Sequence, residues 1–527
     1  MSKKSTKSAA PPSVRETPPA PEARPDVVAA VAAIDVGSNA MRLVIANVSR
    51  TGEVVPIASP REAVRLGRDA FTAGMLGEET VEKAIAAFGR FKDAIVKNGV
   101  RHVRAVATSA LREAHNRDVF VDRVANETGI DVQIIGGEEE ARLVSVAVSR
   151  AVDLRGRLAM LIDIGGGSVE VTLLDNGEIF ATQSFRMGTV RLLERFGQGA
   201  VDEQVFHQQV REYVELSSKW LQDELGDRKV DLCVGTGGNC EALADLAIPL
   251  GGSRFQVPAE CLDTLVTSLL SATFEERMQR FGLRPDRADV IVPAALVLQP
   301  LLRRSGADRL SIPRVGLKDG LLAEMVSDLF EQKPDMHRDQ VLASALQFGR
   351  RYQFDELHGS TVRRLATELF DKTHDHHRMG EEDRMLLEVA ALLHDVGQFV
   401  NNSGHHKHAQ YLIMSSRLVG LSEVQRGIIG NVARYHRKSD PTVRHEPYRL
   451  LQPRERVRVK KLAAILRLAD ALDAEHAGKV TELRVDFKRP RLHLRIRGEG
   501  DLLLEKWAVG RKAPLFEEVF GVEVTIE

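Results

Sequence analysis

Residues 160–174 read Met-Leu-Ile-Asp-Ile-Gly-Gly-Gly-Ser-Val-Glu-Val-Thr-Leu-Leu, two apolar runs of β type around an acid, three glycines and a serine. The pattern predicts strand, turn, strand. With no Cβ atoms in the way, Gly165, Gly166 and Gly167 let backbone N–H groups converge on an anion, and phosphate is the obvious one. Ser168 adds a hydroxyl beside them. Asp163, ending the first run, can hold a divalent cation against that phosphate, directly or through water. Glu170, two residues after Ser168 on one strand face, can complete such a metal site. No Gly-Lys-Ser/Thr follows the glycines, so this is not a Walker loop. A glycine-rich hairpin that merely turns is the competing reading.

The same device occurs earlier, in residues 31–48, where Asp35, Gly37, Ser38 and Asn39 stand between two apolar runs. Two such hairpins predict an internal duplication, with the loops clamping one phosphate chain from both sides and Asp35 joining the metal-holding carboxylates. A third glycine-rich stretch, residues 232–246, runs as a strand through Gly237 and Gly238 into a helix, which suits a further phosphate contact. Residues 101–112 read as a strand that ends in Thr108, Ser109 and Arg112, at the sheet edge where α/β crevices form. Arg112 offers a planar fork for phosphate oxygens. Residues 136–142, Gly-Gly-Glu-Glu-Glu-Ala-Arg, predict a turn into a helix with three acids at its start. The helix dipole stabilises acids there. One carboxylate beyond that need can orient and deprotonate water.

These segments resemble the phosphate loops of the actin, sugar-kinase and heat-shock-chaperone superfamily. More narrowly, Asp35-Val-Gly-Ser-Asn39, Gly136-Gly-Glu-Glu-Glu-Ala-Arg142, Asp163-Ile-Gly-Gly-Gly-Ser168 and Arg314-Val-Gly-Leu-Lys-Asp-Gly-Leu321 look like the exopolyphosphatase/guanosine pentaphosphate phosphohydrolase family. The resemblance implies a duplicated ribonuclease-H-like, actin-like core with Mg²⁺ (or Mn²⁺) as cofactor. It implies release of terminal phosphate from inorganic polyphosphate or, alternatively, from guanosine pentaphosphate in the stringent response. It gives the general base as the Glu before Ala, which here is Glu140; Arg112, by its fork for phosphate oxygens, is expected to act with it by stabilising charge. A kinase or ATPase on the same superfamily fold and a sensor that binds guanosine polyphosphates without turnover are the rival readings.

A chain of 527 residues is too long for one core and predicts several domains. Residues 1–27, rich in Lys and Pro, read as a disordered tail. The core divides at 28–155 and 156–330. A formal net charge of -1 with 28% charged residues predicts a soluble protein without the basic excess of a DNA binder. Three cysteines without metal-site spacing suit the cytoplasm. No apolar run is long enough to span a bilayer, so no membrane partner is expected, and a homodimer is.

After residue 335 the pattern becomes helical, and 10 of the 16 histidines fall between His358 and His445. Imidazoles and carboxylates projecting from separate helices make a divalent-metal pocket. The ordered set His358, His394-Asp395 and Asp470 resembles the HD-domain metal phosphohydrolases, which implies a second divalent metal in an all-helical HD-like domain at 336–477. His408 and His436 stand where some members of that superfamily supply extra ligands. Residues 478–527 return to alternation, as a small α/β cap.

Overall fold

The computed structural model describes residues 27–197, 203–217, 219–330, 336–416 and 418–527. The anticipated tail lies outside these except Val27, which already opens the first strand.

Two sheets carry the first 330 residues. The first contains β1 (Val27–Val36), β2 (Met41–Ser49), β3 (Val54–Ala58), β4 (Arg61–Glu62), β5 (His102–Ala107) and β6 (Val132–Ile134), in the order β3-β2-β1-β5-β6 with β4 against β2. The second contains β7 (Leu158–Ile164), β8 (Val169–Asp175), β9 (Glu178–Phe185), β10 (Leu232–Thr236), β11 (Gln256–Pro258) and β12 (Arg309–Ser311), in the order β11-β12-β10-β7-β8-β9. In each, the first strand pairs antiparallel with the second and parallel with a later one. Leaving out β4 and β11, the two sheets have one topology.

Alternation along the central strands explains how the copies meet. On β1, Ala32, Ile34 and Val36 face one core while Val31 and Ala33 face another. On β7, Met160, Ile162 and Ile164 face a third, while Ala159 and Leu161 join Val31 and Ala33. Strands buried on both faces read as continuous apolar runs, and these do. The shared core between the sheets also takes Leu143, Val144 and Val148 of the helix Gly137–Ala151, and Leu321, Leu322 and Met325 of the helix Leu317–Leu329. These helices touch backbone to backbone, since a Cβ on Gly320 would lie 2.0 Å from the Leu143 carbonyl oxygen. Buried Arg142 pairs with Glu139 and Glu324 across the same contact.

The strand expected over residues 101–112 stops at Ala107. Ser109, Ala110, Leu111, Arg112 and Glu113 form a short helix, because Ser109 to Leu111 are buried under the phosphate loops. Arg112 is therefore presented by a helix and not by a strand end.

Beyond residue 336, the helices Met336–Arg351, Glu356–Lys372, Glu381–Leu393, His405–Ser415, Glu423–Arg434 and Pro453–Ala471 enclose one core. Strands β13 (Val480–Lys488), β14 (Arg491–Gly498) and β15 (Glu523–Ile526) follow, with helices Leu503–Lys512 and Pro514–Phe520. Their apolar residues Leu483, Leu492, Leu494 and Phe516 belong to the core of the preceding helices. The terminal segment and the helical region thus fold around one interior.

Candidate active site and metal centres

The β1–β2 and β7–β8 turns close alike. The Gly37 amide donates to the Ala40 carbonyl at 3.2 Å, and the Gly165 amide to the Ser168 carbonyl at 3.0 Å. The two loops meet face to face, since a Cβ on Gly166 would stand 3.0 Å from Ser38 Cβ and 3.2 Å from the Asn39 nitrogen. Ser38 Oγ and Ser109 Oγ are 2.9 Å apart. A side chain on Gly167 would strike Phe71 and Ser109 at 2.3 Å. Gly237 has φ +88° and packs on the end of β7, where a Cβ would lie 3.2 Å from Asp163 Oδ1. Gly238 sits beneath two guanidinium groups, those of Arg42 and Arg287.

Three buried carboxylates converge beside these loops. One oxygen each from Glu140, Asp163 and Glu170 lie within 4.8 Å of one another. The Asp163–Glu170 pair is set by register, because the two residues stand opposite each other on β7 and β8. Glu140 enters from the first turn of the helix Gly137–Ala151, while its neighbour Glu139 turns away to Arg142. Glu170 Oε1 accepts from Ser184 Oγ at 2.7 Å and Asp163 Oδ1 from Thr236 Oγ1 at 2.7 Å. Glu140 Oε2 and Glu170 Oε2 are buried without a hydrogen-bond partner. Arg112 Nη1 is held by the Ile135 carbonyl at 2.8 Å and stands 3.7 Å from Glu140 Oε2. Burial, then the charge of Glu170, pushes Glu140 well above the usual carboxylate range. Burial and the charge of Asp163 push Glu170 up to about 7, against the hydrogen bond from Ser184. Asp163 is also raised, by burial. Three acids that resist ionising together, with two orphaned oxygens, fit one divalent cation bound by oxygen ligands.

Asp35 stands apart from this trio. It faces Arg42 at 3.7 Å, and burial raises its carboxyl. Sequence reasoning also missed Arg42, Arg61 and Arg287. Burial, then the nearby charges of Arg42 and Arg61, pulls Arg287 down to about 10, so this rim is crowded with cations that an anion would relieve. Arg42 could have been found, three residues past Asn39 on β2. Arg287 has no local signal, because it reaches the loops from a helix at Pro285–Ala288. The two halves are tied to each other by Arg61 with Asp286, Arg65 with Asp289 at 2.7 Å, and Arg191 with Glu113 at 2.7 and 2.9 Å.

The Ppx/GppA phosphatase family matches this chain over residues 44–329, and the Ppx/GppA phosphatase domain III over residues 342–507. The chain belongs to the Ppx/GppA phosphatase family. It is 29% identical over 411 residues to a guanosine-5'-triphosphate,3'-diphosphate pyrophosphatase of Vibrio vulnificus, covering 77% of this chain and 80% of that protein. A protein of the same name from Aliivibrio fischeri is 26% identical over 464 residues, covering 86% of this chain and 91% of its own. The crystal structure of an exopolyphosphatase from Cytophaga hutchinsonii matches with a TM-score of 0.53 and 27% identity, over 57% of this chain and 98% of that one. The paired sheets of this Ppx/GppA chain are thus the actin-like core. Among the described residues, no helix is long and apolar enough to cross a membrane.

The helical region of this Ppx/GppA protein gathers a second cluster. His358 comes from the first turn of the helix Glu356–Lys372, Asp470 from the last turn of the helix Pro453–Ala471, and His394-Asp395 from just past the end of the helix Glu381–Leu393. His358, His394 and Asp395 have ligand atoms within 4.8 Å of one another, and so do Asp395, His405 and His436. Asp470 Oδ1 is 3.6 Å from His358 Nε2 and 3.7 Å from His394 Nε2. His408 is half-buried and belongs to neither group; His405, one turn earlier on the same helix, points to Asp395 at 3.2 Å. Burial holds His436 down at about 3, so its ring is neutral, the form that binds metal.

Proposed function

We propose that the chain is an exopolyphosphatase that releases the terminal orthophosphate of inorganic polyphosphate by attack of water in the cleft between the two sheets. The carrying observation is the buried, unpartnered Oε2 of Glu140, placed beside Arg112, Asp163 and Glu170 where the two phosphate loops meet. Glu140 takes the proton of the attacking water, the new P–O bond forms, and the anhydride P–O bond breaks toward the shortened chain. Amides and hydroxyls of Ser38, Asn39, Gly166, Gly167 and Ser168, with Gly237 and Gly238, seat the phosphates on turns that the Gly37 and Gly165 amides close. Arg112, Arg42 and Arg287 offset their charge. Phosphoryl transfer asks mainly for positioning and charge stabilisation, which such a cleft supplies. Asp163 and Glu170 would hold Mg²⁺ (or Mn²⁺), which supplies charge neutralisation on the phosphoryl oxygens.

A second reading, guanosine pentaphosphate hydrolysis, is favoured by the names of the Vibrio and Aliivibrio relatives. With either substrate, we propose that the chain has an HD-like helical domain with a divalent ion at His358, His394, Asp395 and Asp470, a cytoplasmic location and a homodimeric state. Phosphate release from polyphosphate of graded length, guanosine pentaphosphate and ATP, with and without Mg²⁺, tests it. Polyphosphate should turn over fastest, and ATP turnover exceeding both others would reject the reading for a superfamily ATPase.

A further inference from the structure

The glycine loop at residues 165–168 owes its shape to what holds its carbonyls. The Gly165 carbonyl accepts from the Thr189 amide at 3.1 Å, and the Gly166 carbonyl from the amides of Val190 and Arg191 at 2.8 and 3.1 Å. The Gly167 carbonyl accepts from Arg191 Nε at 2.7 Å. In a planar trans peptide the N–H points opposite to the C=O. Drawing these three carbonyls to one side therefore turns the amides of Gly166, Gly167 and Ser168 to the other, as an anion-binding loop requires. The support is close-packed, since a Cβ on Gly188 would lie 2.3 Å from the Gly167 carbonyl carbon and 2.4 Å from the Ser168 nitrogen. The first loop is held in the same sense by backbone amides. Gly67 donates to the Ser38 carbonyl at 2.8 Å and Arg65 to the Asn39 carbonyl at 3.2 Å. The second loop adds a side chain to this support, that of Arg191.

Arg191 is itself anchored on the other half of the core. Its Nη1 and Nη2 donate to the two oxygens of Glu113 at 2.9 and 2.7 Å, and its guanidinium carbon lies 3.9 Å from the centroid of the Phe71 ring. Its side chain is 12% exposed, against 37% for Arg65 in the pair with Asp289, so solvent screens it less. Glu113 ends the short helix that presents Arg112 to Glu140 and sets Ser109 Oγ against Ser38 Oγ. One guanidinium thus joins the last glycine of the second loop to the helix carrying Arg112. Lysine cannot replace it, because three directed bonds with a ring beneath them need a planar fork.

We propose, on the reading above that water attacks beside Glu140, that Arg191 is a positioning residue for the phosphoryl transfer. It fixes the Gly167 carbonyl and so aims the Ser168 amide at the phosphoryl group under attack, while Glu113 makes that aim and the place of Arg112 depend on each other. Donors aligned in advance act on charge that develops in the transition state, so disturbing one lowers kcat more than it raises KM. A pair that merely ties the halves together raises KM and spares kcat.

The experiment measures kcat and KM for phosphate release from polyphosphate in Mg²⁺ with full-length wild type, Arg191→Met, Arg191→Lys, Glu113→Gln and Glu140→Gln, each checked by thermal melting. Arg191→Met should lower kcat roughly tenfold to a hundredfold, the loss expected of hydrogen bonds from a charged group, with a much smaller change in KM. Arg191→Lys, which restores the charge without the fork, should recover little of that kcat. Glu113→Gln keeps the shape and should lower kcat in the same direction by a smaller factor. Adding it to Arg191→Met should cost little more, because the two residues act as one unit. A folded Arg191→Met with unchanged kcat, or full recovery of kcat by Arg191→Lys, overturns the positioning role. Should Arg191→Met fail to fold, the near-isosteric Glu113→Gln decides, and an unchanged kcat there overturns it equally. Glu140→Gln separates the two failures. If it is inactive while Arg191→Met keeps the wild-type kcat, the positioning role alone falls; if it is active, the cleft reading falls and the proposal with it.

Discussion

Glu140 occupies the first turn of its helix, where acids are ordinarily stabilised by the dipole, yet it is buried with an orphaned oxygen and a raised pKa. Replacing it by Gln keeps the shape and removes proton acceptance. Glu140→Gln should lower kcat by ~10²–10⁴ with substrate affinity nearly intact, measured by phosphate release and by equilibrium binding. Glu139→Gln should stay active, because Glu139 is engaged with Arg142; the opposite ranking would reassign the base. The same carboxylates set a pH signature. In the metal-free protein Glu170 is pushed from 4.5 up to about 7, so between those values the native state holds protons that the unfolded chain has released. Metal-free stability therefore falls as pH rises through that window, and Mg²⁺, by displacing the protons, reverses the loss. Melting in chelator and in Mg²⁺ should show a Tm gap that widens from about pH 5 to about pH 7. A gap independent of pH would contradict the cluster's role.

At the scale of elements, the glycine loops were legible because the turn chemistry is local, and strand, acid and glycines are contiguous in residues 160–174. The β7 and β8 spans follow from their continuous apolar runs on either side of the glycines. The helix at Ser109–Glu113 was not legible, because burial under two loops, supplied by distant chain, overrides the apparent strand. Nor could spacing choose between His405 and His408, which lie three residues apart on one helix; only the position of Asp395 decides. Of the two glycines at the start of the helix Leu317–Leu329, Gly320 is pressed on Leu143 while Gly316 has open space for a Cβ. Gly320→Val should destabilise the fold by about 1–3 kcal/mol or more through overpacking, and Gly316→Ala by much less, as chemical denaturation would show. Equal effects would mean that the two helices can separate at little cost.

The whole molecule places a trio of buried carboxylates between two copies of one sheet and a histidine-lined cluster in a helical body that shares its core with the last 50 residues. Arg61, Arg65 and Arg191 tie the two halves of the cleft shut. Partly exposed pairs of this kind contribute roughly 0.2–1 kcal/mol each. Arg65→Ala should therefore raise KM up to about fivefold with little change in kcat, and the difference from wild type should shrink in high salt. An unchanged KM at low salt would show that closure does not depend on the pair.

We place the release of terminal phosphate beside Glu140, between the two sheets, and not in the helical cluster. Phosphate release from polyphosphate in Mg²⁺, compared among wild type, Glu140→Gln and the double variant His394→Ala/Asp395→Ala with its melting checked, tests it most directly. The cleft assignment predicts that Glu140→Gln is nearly inactive while the folded double variant keeps most of its polyphosphatase activity. A folded double variant as inactive as Glu140→Gln would contradict it and move the active site into the helical body.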